Sequence, residues 1–377
     1  MTVVVPGSVL DAMDAPPAGP SGRPPRERSR RRPRELTPDD YVVGGAALVS
    51  AFSLNWLIFS RLTDGVGWFG FLVATFVTFL VLYYLVTAER HGRLVAADRV
   101  VTVVVAAGAT VVLVPLVSLV IYITVEGLPN LRPQFFVEDQ AGITPVMPAT
   151  AGGASHAIVG TIEQVGLAIL WALPLGVLTA VFLNETRSRW RRPVRIVIDA
   201  MSGIPSIVAG LFVFAVLIQP YAHSVPLFSF NGFMASLALA MMMLPTVTQT
   251  VAVVLRLVPD GLREASLALG SSRARMVSSV VLPTARTGIT TAVVLGIARI
   301  VGETAPLFYT AFGYDLMNAN PFSGPQESLP LFVFRNIRKP DPNAIARGFV
   351  GAFVLMLIVL ALFATARFVG RDRSHRR

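Results

Sequence analysis

Apolar residues fall in eight runs long enough to cross a bilayer, at 41–60, 68–86, 100–125, 158–183, 196–218, 232–255, 288–312 and 348–368. A hydrocarbon core about 30 Å thick takes roughly 20 residues at the helical rise of about 1.5 Å. Helices satisfy their own backbone polar groups in lipid. The pattern therefore predicts an all-α polytopic membrane protein of about eight transmembrane helices. The polar segments 126–157 and 313–347 carry Pro and Gly with little periodicity. They are expected to be external loops that suit docking of an outside partner but are too short for folded domains. Residues 1–40 hold seven Arg, from Arg23 to Arg34, interleaved with Pro, and lack the apolar core of a signal peptide. A disordered basic cytoplasmic tail is expected there.

The basic residues orient the spans. With the N-terminus inside, the inner segments 1–40, 87–99, 184–195, 256–287 and 369–377, with Arg367 at the membrane edge, hold 25 Arg. The outer segments hold six basic residues: Arg61, Arg132, Arg335, Arg338, Lys339 and Arg347. The positive-inside rule thus supports eight spans with both termini cytoplasmic. The net charge of +10 is then a property of inner loops and calls for no nucleic-acid partner.

Composition narrows the chemistry. Hydrophobic residues make up 54% and charged residues 14% of the 377 positions, too little polar surface to wrap a water-soluble core. There is no Cys, and His91, His156, His223 and His375 form no spaced ligand pair, so neither a thiol nucleophile nor a metal site is expected. Lys339, the one Lys, lies between Arg338 and Pro340 and cannot belong to a GxxxxGK[ST] loop. Any ATP-driven step would need another subunit.

The inner segment 259–283 reads as helix, tight turn, helix. Pro259 suits a first turn, Gly270 a C-terminal stop, Ser271 or Ser272 an N-cap, and Pro283 the end of the second run. Glu264-Ala265-Ser266, three residues, Gly270, nine residues and Val280-Val281-Leu282-Pro283 resemble the EAA loop of bacterial ABC-importer permeases, with Ser266 and Val280 as the departures. The resemblance implies that Glu264, Ala265, Ser266, Gly270, Leu282 and Pro283 belong to coupling helices that dock on an ATPase subunit.

Two further stretches narrow the resemblance. Asp199 to Leu211 includes Pro205 and Ser206, and is similar to the gate-proximal helix of the PstA-type permeases of phosphate importers. Arg299-Ile300-Val301-Gly302-Glu303-Thr304-Ala305-Pro306-Leu307 is similar to their RxxGETAPL run. The resemblance implies a MetI-like ABC permease core over 158–368, with two helices beyond the usual six among the three of 41–125. It also implies phosphate as substrate, a homologous PstC-type permease, PstB-type ATPase subunits carrying ATP and Mg²⁺, a PstS-type external binding protein, and the bacterial inner membrane. No cofactor and no catalytic centre are expected on this chain.

Arg299 and Glu303 stand four apart, neighbours on one face if the seventh span is a continuous helix. Charges there are costly unless paired or lining a wet path. Two readings stay open: a neutralised pair joining helices, or an anion-recognising guanidinium tuned by a carboxylate. Gly302 is expected to admit a neighbouring helix, and Pro306 to interrupt the backbone one turn on. Glu163 is expected to face the bundle interior or an aqueous pocket, and Asp199 to face water. A permease for sulfate, molybdate or phosphonate would share the coupling loop and differ along the path. A secondary transporter would leave that loop's spacing unexplained.

Overall fold

The computed structural model describes residues 38–62 and 67–370. Most of the tail expected at 369–377 and nearly all of that at 1–40 lie outside them. Thirteen helices run through the described residues: α1 Pro38–Leu62, α2 Trp68–His91, α3 Arg93–Gly127, α4 Ser155–Glu185, α5 Arg191–Ser202, α6 Ser206–Tyr221, α7 Gly232–Arg256, α8 Asp260–Ala268, α9 Arg273–Thr284, α10 Arg286–Val301, α11 Ala305–Thr310, α12 Leu329–Ile337 and α13 Pro342–Gly370. A single β-bridge, Phe312 with Gln326, is the extended pairing among them. The chain is an all-α polytopic membrane protein.

Six expected spans are single long helices, and the fifth and seventh are broken. Helices α5 and α6 of the fifth meet at 109°; the seventh stops at Val301 and resumes at Ala305, and α9, which precedes it, meets α10 at 73°. The fifth breaks at Gly203-Ile204-Pro205, because proline disfavours helical backbone at the residue before it. Pro205 then serves as the N-cap of α6. Both bent pairs contain a π-helical turn, Phe214–Ile218 and Val277–Val281. Each lies just ahead of a proline, Pro220 or Pro283. A proline lacks the N–H that would meet the carbonyl four back, and its ring crowds that carbonyl, so the helix widens there.

The described residues fall into two compact units that divide between Leu113 and Val114. In the first, a buried bidentate pair, Arg99 to Asp40 at 2.5 and 2.7 Å, ties α3 to the start of α1. Val43, Ala47 and Tyr83 pack beside it.

In the second unit α4 and α7 form the centre. Ala168, Ala172, Gly176 and Ala180 repeat every four residues along α4 and are buried. A side chain at Gly176 would press on Val247 of α7, and one at Gly296 of α10 on Val247 and Met243. This is the small-residue packing by which membrane helices gain van der Waals contact where no hydrophobic force separates them from lipid.

The outer segments are short and ordered. Arg347, 1% exposed, reaches from α13 to the carbonyls of Thr144, Pro145, Met147 and Pro148 at 3.0 to 3.1 Å. Asp139 accepts the N–H of Met317 at 3.0 Å, and Gln140 donates its own N–H to Asp315. Segments 128–154 and 313–341 are thereby fastened to each other and to α13, and form a cap on the side expected to be outer.

Candidate functional site: two helix breaks and a coupling hairpin

The residues picked out on the fifth and seventh spans converge. Helix α10 ends at Val301 and Gly302 is its C-cap, so Arg299 lies in the last helical turn and Glu303 lies beyond it. The continuous helix expected across Arg299 and Glu303 is absent. Pro306 stands in the first turn of the new helix α11, where a missing N–H costs no hydrogen bond. This second break faces the first. The Ser206 hydroxyl donates to the Glu303 carboxylate. A Cβ placed on Gly210 of α6 would lie 2.5 Å from Pro306 Cα and 2.8 Å from its carbonyl oxygen, so α6 and α11 touch backbone to backbone.

Arg299 and Glu303 form no ion pair: Arg299 is exposed, lies within electrostatic reach of Glu303, and makes no hydrogen bond or salt bridge with any described residue. A guanidinium in an apolar span is costly when unpartnered. Its exposure therefore points to a wet path or a facing subunit. Gly302, expected to admit a helix, has nothing within 4 Å of its missing side chain.

Glu163 is half-buried and accepts from Gln326 at 2.5 Å. Gln326 in turn accepts from Gln164 at 3.0 Å. Gln326 leads to Glu327, whose carboxylate accepts from Arg335 at 2.5 Å. Burial pushes the Glu327 carboxyl up to about 7, although Arg335 pulls it back. This polar chain lies under the outer cap, and 163 residues separate Gln326 from Glu163, a pairing no sequence spacing reveals. Asp199 is exposed and accepts from Gln249 at 3.2 Å. Among the described residues no three His, Asp or Glu side chains gather as a metal would require.

The 259–283 hairpin has the helix–turn–helix form read from its sequence. Gly270 has φ +81°, its N–H donates to Leu267, and the N–H of Ser271 donates to Ser266. These two bonds make a Schellman turn, which needs a residue that tolerates the left-handed region. Ser272 caps α9 by accepting from the N–H of Arg275. Glu264 and Ala265 are exposed, as are Leu262, Leu267 and Leu269, whereas Leu282 packs against the core.

Arg263 is the anchor of the hairpin. It binds Glu185 at 3.0 and 3.3 Å, Asp260 at 3.0 Å, and the carbonyls of Leu255 and Val258 at 2.8 and 2.6 Å. The last turn of α7 thus gains a donor for its orphan carbonyls.

Comparison with known proteins agrees with this geometry. The family model described as binding-protein-dependent transport system inner membrane component matches residues 172–375, a stretch that holds both breaks and the hairpin and leaves α1 to α3 outside. The phosphate transport system permease protein PstA 1 of Mycobacterium tuberculosis (strain H37Rv) is 37% identical over 268 residues, covering 70% of this chain and 85% of that protein. The phosphate transport system permease protein PstA of Yersinia pestis is 34% identical over 256 residues, 66% of this chain and 82% of that one. A chain of a bacterial alginate ABC transporter, solved with a pentasaccharide-bound periplasmic protein, has the same fold with TM-score 0.52 at 15% identity, over 75% of this chain and 99% of that chain. The chain therefore belongs to the inner membrane components of binding-protein-dependent transport systems, in the company of the PstA permeases.

Proposed function

We propose that this chain is the PstA-type permease subunit of an ATP-driven importer of inorganic phosphate in a bacterial inner membrane, with both termini in the cytoplasm. It shares a translocation path with a homologous PstC-type permease. PstB-type ATPases, which hold ATP and Mg²⁺, sit under the 259–283 hairpin, and a PstS-type protein delivers phosphate to the outer cap. Resemblance to the PstA relatives supports the substrate. The carrying observation is the exposed, unpartnered guanidinium of Arg299 beside the facing breaks.

A planar guanidinium matches the oxygens of phosphate and keeps its charge at any physiological pH. Arg299 sits in the last turn of α10, where the helix dipole favours a cation. Glu303, held by Ser206, occupies the N-terminal end of α6, which favours an anion. Phosphate drawn to Arg299 therefore competes with the Glu303 carboxylate for one electropositive corner, and movement of α6 against α11 widens or closes the way past it. ATP-driven closure of the ATPases pulls on the exposed face of α8. Arg263 passes that pull to the ends of α4 and α7, and α9 passes it through its 73° bend to α10.

Transport of labelled phosphate by the complete complex in proteoliposomes, with ATP on the hairpin side, tests the proposal. Uptake that excess sulfate does not reduce supports phosphate, whereas equal competition by sulfate would assign the path to oxyanions in general. Uptake without ATP would return the chain to the secondary transporters.

A further inference from the structure

The ends of α4, α5, α7, α8 and α9 border an open cleft of about 430 Å³ whose lining includes no residue of the facing breaks. Its lining carries five Arg (Arg187, Arg191, Arg256, Arg263 and Arg273) and two acids, Glu185 and Asp260. Both acids are spent on Arg263. Arg256 has a neutral partner, the side-chain amide oxygen of Asn184 at 3.2 Å. The guanidinium groups of Arg187, Arg191 and Arg273 make no hydrogen bond or ion pair with any described residue. Four guanidiniums without a carboxylate thus surround a space larger than several water molecules.

The backbone adds charge of the same sign. Arg191 is the first residue of α5 and Arg273 the first of α9. Helix starts carry the positive end of the dipole and favour anions, so a cation at either costs stability until an anion joins it. Repulsion on this scale is tolerable in open water but focuses inside a concave wall.

We infer that this cleft binds a phosphate group, supplied either as free inorganic phosphate or as the headgroup of an anionic phospholipid, at a site separate from the transport path. A dianionic, tetrahedral oxyanion can take forked donors from several guanidiniums at once. Since the lining includes Asp260, Arg263 and Leu267 of α8, occupancy there bears on the setting of the coupling helix. The inference stands whichever oxyanion the complex transports.

With no native Cys, Thr186→Cys places one thiol of this chain in the lining. The purified complex is treated with an anionic and a cationic thiol reagent of equal size, and the adduct on this chain is quantified by mass. The anionic reagent is expected to react at least about tenfold faster than the cationic one, after correction for free-thiol reactivity. Ligand occupancy is expected to slow labelling at least about threefold. Slowing by millimolar phosphate at constant ionic strength in detergent identifies free phosphate as the source. Slowing on exchange from phosphatidylcholine to phosphatidylglycerol nanodiscs identifies the headgroup. In both cases Arg187→Gln with Arg191→Gln should abolish the effect. Labelling unchanged by phosphate and by lipid overturns the inference. So does slowing that persists in the double Arg variant. Protection by the ATPase alone, lost when the ATPase is stripped off, also overturns it and gives these guanidiniums to carboxylates of that subunit. If Thr186→Cys fails to assemble, the same readings at Leu267→Cys decide between these outcomes.

Discussion

Ser206 and Glu303 share a hydrogen bond although they belong to different helix breaks, one opening α6 and the other following α10. Four residues beyond Ser206 and three beyond Glu303 lies the tighter contact: Gly210 of α6 lies against Pro306 at the start of α11. Each break has its own local cause, Pro205 in one and the Gly302 cap in the other, and packing joins them.

The junction predicts opposite results at two glycines. In Gly210→Ala the added methyl meets backbone atoms of Pro306, which no rotamer change relieves, so α6 and α11 must separate. Phosphate uptake is expected to fall at least about tenfold, a barrier change of roughly 1.4 kcal/mol, in a complex that still assembles. Gly302→Ala meets nothing within 4 Å and has φ −95°, so its uptake should match wild type. Equal uptake by both variants would show that close approach at Gly210 is irrelevant.

At the hairpin the cost is conformational. Nothing lies within 4 Å of the missing Gly270 side chain, so substitution there costs only the left-handed backbone, about 1–2 kcal/mol for an ordinary residue. Gly270→Val should uncouple ATP hydrolysis from uptake, and Gly270→Asn should restore much of it, since Asn tolerates that region. Glu264→Lys, on the exposed face, should abolish uptake while phosphate affinity of the external binding protein is unchanged. Wild-type uptake in Gly270→Val would refute the hairpin's part in coupling.

The charge ledger predicts sidedness. An impermeant thiol reagent added to intact cells should label Ser323→Cys and leave Arg189→Cys unlabelled until the membrane is opened. The reverse pattern would invert the topology.

How much of this the sequence carries depends on the range of the interaction. Long apolar runs and the 259–283 hairpin are local, because hydropathy, proline and the Gly270 turn act within a few residues. The span ends therefore lie close to those read from composition. The breaks at Gly203-Ile204-Pro205 and Gly302 were also written locally, but a continuous apolar run hides them: proline is common in membrane helices and by itself marks no hinge. Arg299 and Glu303 looked like an i, i+4 pair because the helix was assumed to continue past Gly302. The Gly210–Pro306 contact, the Arg347 clasp and the Arg263 anchor join residues distant in sequence, and periodicity is blind to such pairs.

Glu327 gives the outer cap a pH dependence. Its carboxyl is raised from 4.5 to about 7, burial being the largest cause. Between those values the folded chain holds a proton that the unfolded chain releases. The stability contribution is therefore intact below about pH 4.5 and is lost as pH rises through about 7. The unfolding temperature of the purified complex should fall across that window, and Glu327→Gln, which cannot ionise, should flatten the fall. A slope unchanged in Glu327→Gln would remove Glu327 as its source.

If phosphate passes the facing breaks at Arg299, the chemistry of that side chain should set the rate of uptake. Arg299→Lys keeps the positive charge and loses the planar fork, and no described residue depends on Arg299 for a hydrogen bond, so assembly should survive. The measurement is ATP-driven uptake of labelled phosphate by the reconstituted Arg299→Lys complex, set beside its ATP hydrolysis and its content of every subunit. The account predicts full assembly, retained ATP hydrolysis, and uptake reduced at least about tenfold; uptake at the wild-type rate would contradict it.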